Sequence, residues 1–164
     1  MNKTGYFQSG RNKLFYSSVI PEHSLDTGIL FVHAGDGNSL GPHRMFVELA
    51  EQYNTLGYPT FRFDMTGCGD SEGKVSDSDS RAEVSDVHQA VKYFMKLAWL
   101  DNVILLGISR GSRISFELMQ SRTLCVRGLI LLSAPVSSKK AATKYFSIQL
   151  KEYWVKLTDF CDLR

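Results

Sequence analysis

The segment Gly107-Ile-Ser109-Arg110-Gly111 sets a serine hydroxyl between two glycines. Before it runs Val103–Ile108, a short apolar stretch of strand type, and after it Arg110–Gln120 reads as a short helix. A serine attacks a carbonyl carbon well only when a sharp strand-to-helix turn exposes its Oγ. Small neighbours must also let other backbone approach, and the helix N-terminus must offer N–H donors to the developing oxyanion. The chemistry on offer is acyl transfer through a covalent serine intermediate; the alternative is a glycine-rich turn that only tightens a strand–helix connection. A second stretch, His33-Ala-Gly35-Asp-Gly37, ends the earlier apolar run Ile29–His33. In a parallel sheet covered by helices this exit is where the other oxyanion donor would stand, so Gly35 N–H and Arg110 N–H form the candidate pair, against the alternative of an ordinary strand exit. His33 precedes that turn and reads as a structural imidazole rather than a base. Asp64-Met-Thr-Gly67-Cys-Gly69-Asp-Ser71 reads as architectural: its glycines allow positive φ, Asp64 can accept from nearby N–H groups, and Cys68 is a small filler.

These residues need elements to hold them, and the chain alternates short apolar runs with longer amphipathic ones, the pattern of a parallel sheet covered by helices. Ile29–His33, Pro59–Asp64, Val103–Ile108 and Val126–Leu132 read as strands. Pro42–Leu56 reads as a helix on the spacing of Phe46, Leu49, Ala50 and Tyr53, closed by Gly57. The segment from Thr66 to Ser80 reads as a loop. Val84, Val87, Val91, Phe94 and Ala98 then step by three and four along a helix, with Asp77, Asp79 and Ser80 as cap candidates. Capping also explains the Asp70, Glu72, Asp77 and Asp79 cluster better than a calcium loop does, because the loop's central Gly and closing Glu are missing. Gly5–Ser9 and Lys13–Ser18 read as two antiparallel strands joined at Gly10-Arg11-Asn12. Lys139–Leu157 reads as a polar helix, with the aromatic stripe from Tyr145 to Trp154 packing as a lid.

The 164 residues, 43% hydrophobic and 22% charged, suffice for a single cored domain over 1–164, with 136–164 as the start of a lid-like segment. Nineteen Lys and Arg against 17 Asp and Glu leave a formal charge of +2 without a block of like charge, which points away from nucleic acid. No apolar run approaches the ~20 residues of a membrane span, and the N-terminus lacks the apolar core of a secretion signal. Cys68, Cys125 and Cys161 stand far apart without metal-ligand spacing, as reduced thiols in a cytoplasmic protein would. No cofactor or metal is implied.

Taken in order, the turn at Gly35, the Asp64 loop, the Ser109 pentapeptide and the later strand Leu129-Ile-Leu-Leu-Ser-Ala-Pro135 resemble the α/β-hydrolase superfamily. The runs Gly41-Pro-His-Arg-Met-Phe-Val-Glu-Leu-Ala50, Gly57-Tyr-Pro-Thr-Phe-Arg-Phe-Asp64 and Gly67-Cys-Gly-Asp-Ser-Glu-Gly73 look closer to the exosortase-A-associated hydrolases, relatives of serine aminopeptidase (S33) types. The resemblance implies a three-layer α/β/α sandwich with a mostly parallel sheet, truncated after its sixth strand. It makes Ser109 the nucleophile, makes the N–H groups of Gly35 and Arg110 the oxyanion hole, and implies a small-molecule acyl substrate. His43 matches a Gly-x-His-Arg pattern and receives no chemical step. In the family an acid and then a histidine follow the nucleophile, whereas His23, His33, His43 and His88 all precede Ser109 here. The expectation is therefore an N-terminal portion of a hydrolase, nearly inert alone. Its strand 126–132 should lie at an exposed edge, pairing with a second copy or covered by the segment from Lys139 onward. A non-catalytic association module and an acyltransferase are the other readings.

Overall fold

The computed structural model describes residues 1–121 and 125–134, and the backbone of 155–158. The apolar runs become strands β1 (Asn2–Ser9), β2 (Asn12–Val19), β3 (Thr27–Val32), β4 (Thr60–Phe63), β5 (Asn102–Ile108), β6 (Val126–Leu132) and β7 (Val155–Thr158). The helices are α1 (Met45–Thr55), α2 (Ser80–Ala98) and α3 (Arg110–Gln120). Short 3-10 turns at Pro42–Arg44 and Val75–Asp77 lie in stretches read as the start of a helix and as a loop.

Among the described residues the strands make one sheet in the order β1-β2-β4-β3-β5-β6-β7. β1 and β2 are antiparallel, β2 meets β4 antiparallel, and every pairing from β4 to β7 is parallel. The parallel strands are apolar throughout because both faces are covered. Leu30 and Val32 of β3 join Val87, Val91 and Phe94 of α2 and Ile114 and Leu118 of α3 in one core. Ile29 and Phe31 of the same strand point the other way, onto Phe46 and Ala50 of α1. This is the three-layer α/β/α sandwich expected.

The hairpin β1–β2, read only from faint alternation, is held by contacts far away in sequence. Phe7 stacks on Tyr93 of α2 at 5.4 Å between ring centroids, and Tyr16 stacks on Phe61 of β4 at 5.0 Å. A buried aromatic ring contributes about 1.5–3 kcal/mol, enough to fix a hairpin whose outer face is polar. α2 begins where its sequence asks: the Asp79 carboxylate accepts from Arg81 N–H at 2.9 Å and Ala82 N–H at 2.8 Å.

Two expectations need correction. Residues 155–158, at the end of the stretch read as a helix over Lys139–Leu157, form β7 instead; the rest of that stretch, with the Tyr145–Trp154 stripe, lies outside the described residues. β7 pairs with Leu129–Leu132, so that part of strand 126–132 is covered by a later segment of the same chain and is not an exposed edge. The cause is tertiary. An unpaired edge offers a row of hydrogen-bonding groups that helical periodicity cannot register, and Val155 and Thr158 are β-branched. Of the two fates foreseen for that edge, cover by a later segment of the same chain is the one found.

Candidate active site

The parallel strands β3, β4 and β5 end side by side, and the crevice beyond their carboxyl ends is where open α/β sheets place their chemistry. Ser109 stands there between β5 and α3 with φ 52° and ψ −117°. A non-glycine residue in that region costs about 1–3 kcal/mol and persists only where its surroundings enforce it. The enforcement is visible. Ser109 N–H donates to Leu132 C=O at 2.8 Å, and Ser112 Oγ bridges Gly107 C=O at 2.7 Å and Leu132 C=O at 3.0 Å, tying the turn to the end of β6. The flanking glycines are required by contact rather than by φ. A Cβ on Gly107 would lie 2.6 Å from Gly111 O, and one on Gly111 would lie 2.2 Å from Val32 O and 2.6 Å from His33 O. The first turn of α3 therefore rests directly on the exit of β3. Ser109 itself is half-buried, and no described group hydrogen-bonds its Oγ.

The exit of β3 carries the other half of the predicted arrangement. Gly35 lies in a turn closed by Gly37 N–H donating to Ala34 C=O at 2.9 Å. A Cβ on Gly35 would sit 2.9 Å from Cδ and 3.1 Å from Nη1 of Arg110, so the structure brings Gly35 and Arg110 into contact. Arg110 opens α3, where a backbone N–H has no partner inside the helix. Its guanidinium is held from the far side by Glu83.

The loop after β4 clamps this turn. The Asp64 carboxylate accepts from Ser39 N–H and, at 2.9 Å, from Asp70 N–H. Arg62 Nη1 donates to Ser39 C=O at 3.0 Å, so both backbone groups of Ser39 are taken by charged residues of β4 and its exit. Burial pushes the Arg62 guanidinium pKa below its ordinary value. Cys68 donates its thiol to Gly35 C=O at 3.4 Å, and burial raises its pKa, which makes it a packed filler rather than a reactive thiolate. The architectural reading of the Asp64 loop thus holds, with Gly69 at φ +50° leaving room for the Asp64 carboxylate.

His33 is fully buried. Met65 N–H donates to its Nε2 at 3.0 Å, which forces the proton onto Nδ1, and Nδ1–H donates to Ala34 C=O. Both nitrogens are spent, so His33 is structural. Burial is the leading cause that lowers its pKa from the ordinary 6.5. As pH falls through about 6.5 the unfolded chain takes up the proton before the folded one, and stability is lost on the acid side. Urea midpoints measured at neutral and mildly acid pH should fall on acidification, and His33→Gln should flatten that fall; an unchanged pH slope in the variant contradicts this. His88 is half-buried on α2, and its pKa too is lowered by burial and then by Lys92. His23 and His43 are exposed.

Three charged residues that hold the site were not foreseen as doing so: Arg62, Glu83 and Asp86. Asp86 accepts from Ser9 Oγ at 2.6 Å and Thr66 N–H at 2.9 Å. For Glu83 the signal was present, because it stands four residues before Val87 on the stripe that faces the sheet. Among the described residues no group of three His, Cys, Asp or Glu is placed to hold a metal ion, and no helix is long and apolar enough to cross a membrane.

An open, mostly parallel sheet with a strained serine at the turn between a central strand and a helix, beside a glycine turn from a neighbouring strand, defines a class of fold. The family model of the alpha/beta hydrolase fold matches residues 28–160, and the chain belongs to that family. A lysophosphatidylserine lipase ABHD12 from Danio rerio is 30% identical over 120 residues, 71% of this chain and 30% of the lipase. Its counterpart from Macaca fascicularis is 27% identical over 140 residues, 82% of this chain and 33% of that protein. The chain thus spans about a third of the length of these curated relatives. Among solved structures, Est1E from Butyrivibrio proteoclasticus with ferulic acid bound superposes with a TM-score of 0.72 at 24% identity, covering 85% of this chain and 56% of that one. An α/β serine hydrolase without a lid from Xanthomonas campestris gives 0.75 at 15% identity, covering 96% and 83%. At these identities the structural likeness speaks for the fold.

Proposed function

We propose that the chain carries the nucleophilic half of a serine hydrolase acting on an ester, thioester or amide. The observation that carries this reading is Ser109 held at positive φ on a turn whose two glycines are demanded by backbone contact, with no described group hydrogen-bonded to its Oγ. Ser109 Oγ attacks the acyl carbon and gives its proton to a base. The carbonyl oxygen becomes an oxyanion that accepts from the N–H groups of Gly35 and Arg110, and expulsion of the leaving group leaves an acyl-serine that water then cleaves. All four histidines of the chain precede Ser109, and His33 has both nitrogens engaged. The family order, in which the base follows the nucleophile, supports a reading in which the base is supplied from a longer or partner chain and these residues alone keep only residual reactivity. The lipase names of its curated relatives favour a carboxylic ester as substrate. The Gly41–Ala50 and Gly67–Gly73 motifs favour a place near the exosortase-associated and S33-type hydrolases.

Imidazole added to the solution can stand in for the missing base. The chain should react with a fluorophosphonate at Ser109, faster as imidazole is raised, and Ser109→Ala should remove the label from the folded protein. A folded chain that stays unlabelled in imidazole favours the second reading, an association module that keeps the fold without the chemistry; the lack of any histidine beside Ser109 Oγ is the observation on its side.

A further inference from the structure

Glu83 is the most deeply buried carboxylate-bearing partner of an arginine in the described chain: its side chain is 3% exposed, against 46% for Arg110 and 26% for Arg113. It accepts from Arg110 Nε at 3.1 Å and Nη2 at 2.9 Å, a two-pronged grip, and from Arg113 Nη2 at 3.4 Å. Both arginines lie in the first turns of α3, while Glu83 belongs to α2. Stability alone gives a weak reason for this arrangement. An ion pair with one partner half in water gains little, and a buried carboxylate is costly to desolvate. A well-packed apolar residue at position 83, in line with Val87 and Val91, would commonly serve the fold as well. What the grip does achieve is geometric. It draws the Arg110 side chain back across Gly35, within 2.9 Å of where a Cβ would be, so one carboxylate ties the residue at the start of α3 to the turn at the end of β3.

We propose that Glu83 is a positioning residue for the oxyanion site, acting through Arg110. By fixing the Arg110 side chain over Gly35 it sets the distance between the two turns, and so the convergence of the N–H groups of Arg110 and Gly35 on one point. The proposal rests on the reading above that these two groups receive the oxyanion. Glu83 itself touches no reacting atom. Two substitutions break the two-pronged grip from opposite ends: Glu83→Gln, which keeps the shape but loses the charge and one of the two acceptor oxygens, and Arg110→Met, which keeps an unbranched stem and the backbone N–H.

The test uses the full chain, imidazole-assisted fluorophosphonate labelling, the unfolding midpoint, and the amide resonance of Gly35 in ¹H–¹⁵N spectra. Each single variant should label about tenfold more slowly, a part of the ~10²–10³ that losing one oxyanion donor costs. The double variant should be no slower than the singles, because all three lack one and the same link. The Gly35 amide should move in both singles. Slowing that multiplies in the double variant, slowing that only tracks the unfolded fraction, or a Gly35 resonance unmoved in Glu83→Gln overturns the inference. If the unsubstituted chain does not label, the hydrolase reading fails, and the Gly35 resonance still decides whether Glu83 acts on that turn.

Discussion

Gly111→Ala is expected to destabilise the chain by at least about 4 kcal/mol, the range in which a single substitution leaves little folded protein. The added methyl would lie 2.2 Å from Val32 O and 2.6 Å from His33 O, both backbone atoms at the end of a buried strand, so no flexible side chain can yield to it. Relief would require α3 to lift off β3, opening the core around Ile114 and Leu118. Gly128→Ala is the matched control. There the nearest atom is Ile104 Cγ1 at 3.7 Å, ordinary contact, and the cost should stay within about 1 kcal/mol. Urea unfolding followed by far-UV circular dichroism compares the two. Similar midpoints for both variants would mean that the Ser109 turn is not packed against the exit of β3.

Asp64→Ala should cost about 2–4 kcal/mol. The carboxylate accepts from the N–H of buried Ser39 and from that of Asp70, and its removal strands the former where water does not reach. Asp70 is exposed, so its N–H finds water and contributes little to the loss. Asp64→Asn keeps one acceptor oxygen and should recover about half of the stability. The effect should also reach the chemistry, because Ser39 anchors the loop that carries Gly35. Fluorophosphonate labelling in Asp64→Ala should slow even under conditions where the variant remains folded. Labelling at the unsubstituted rate, with stability changed by less than about 1 kcal/mol, would show that the loop is held by other means.

Where local rules decide the outcome, the sequence is a good guide. α3 begins and ends at Arg110 and Gln120 as read, because a strained turn fixes its start. Asp79 caps α2 because a short acidic side chain before a helix has few better partners. The loop at Asp64 was legible for a similar reason: paired glycines at positive φ beside an aspartate leave few ways to satisfy the backbone. Where contacts between distant segments decide, the pattern fails. Val155–Thr158 follows residues of helical spacing yet completes the hydrogen bonding of β6. Glu83 carries a charge on the buried face of α2, as Asp86 does, and the approach of Arg110 and Arg113 from a later helix supplies the partners that this placement needs. Gly35 and Arg110, 75 residues apart, were paired from the sequence through their backbone N–H groups, but the packing of the Arg110 side chain over Gly35 was not, because it depends on Glu83 of a third segment.

The proposed function turns on a covalent acyl bond to Ser109. The most direct measurement is the intact mass of the folded chain, with peptide mapping, after exposure to an activated ester such as p-nitrophenyl butyrate. On the proposed reading the base is not supplied by these residues and deacylation is slow, so one butyryl group should accumulate on the peptide containing Ser109, disappear in Ser109→Ala, and fail to form in urea. An acyl group spread over lysines with Ser109 unmodified, or equal modification of folded and unfolded chain, would contradict the account.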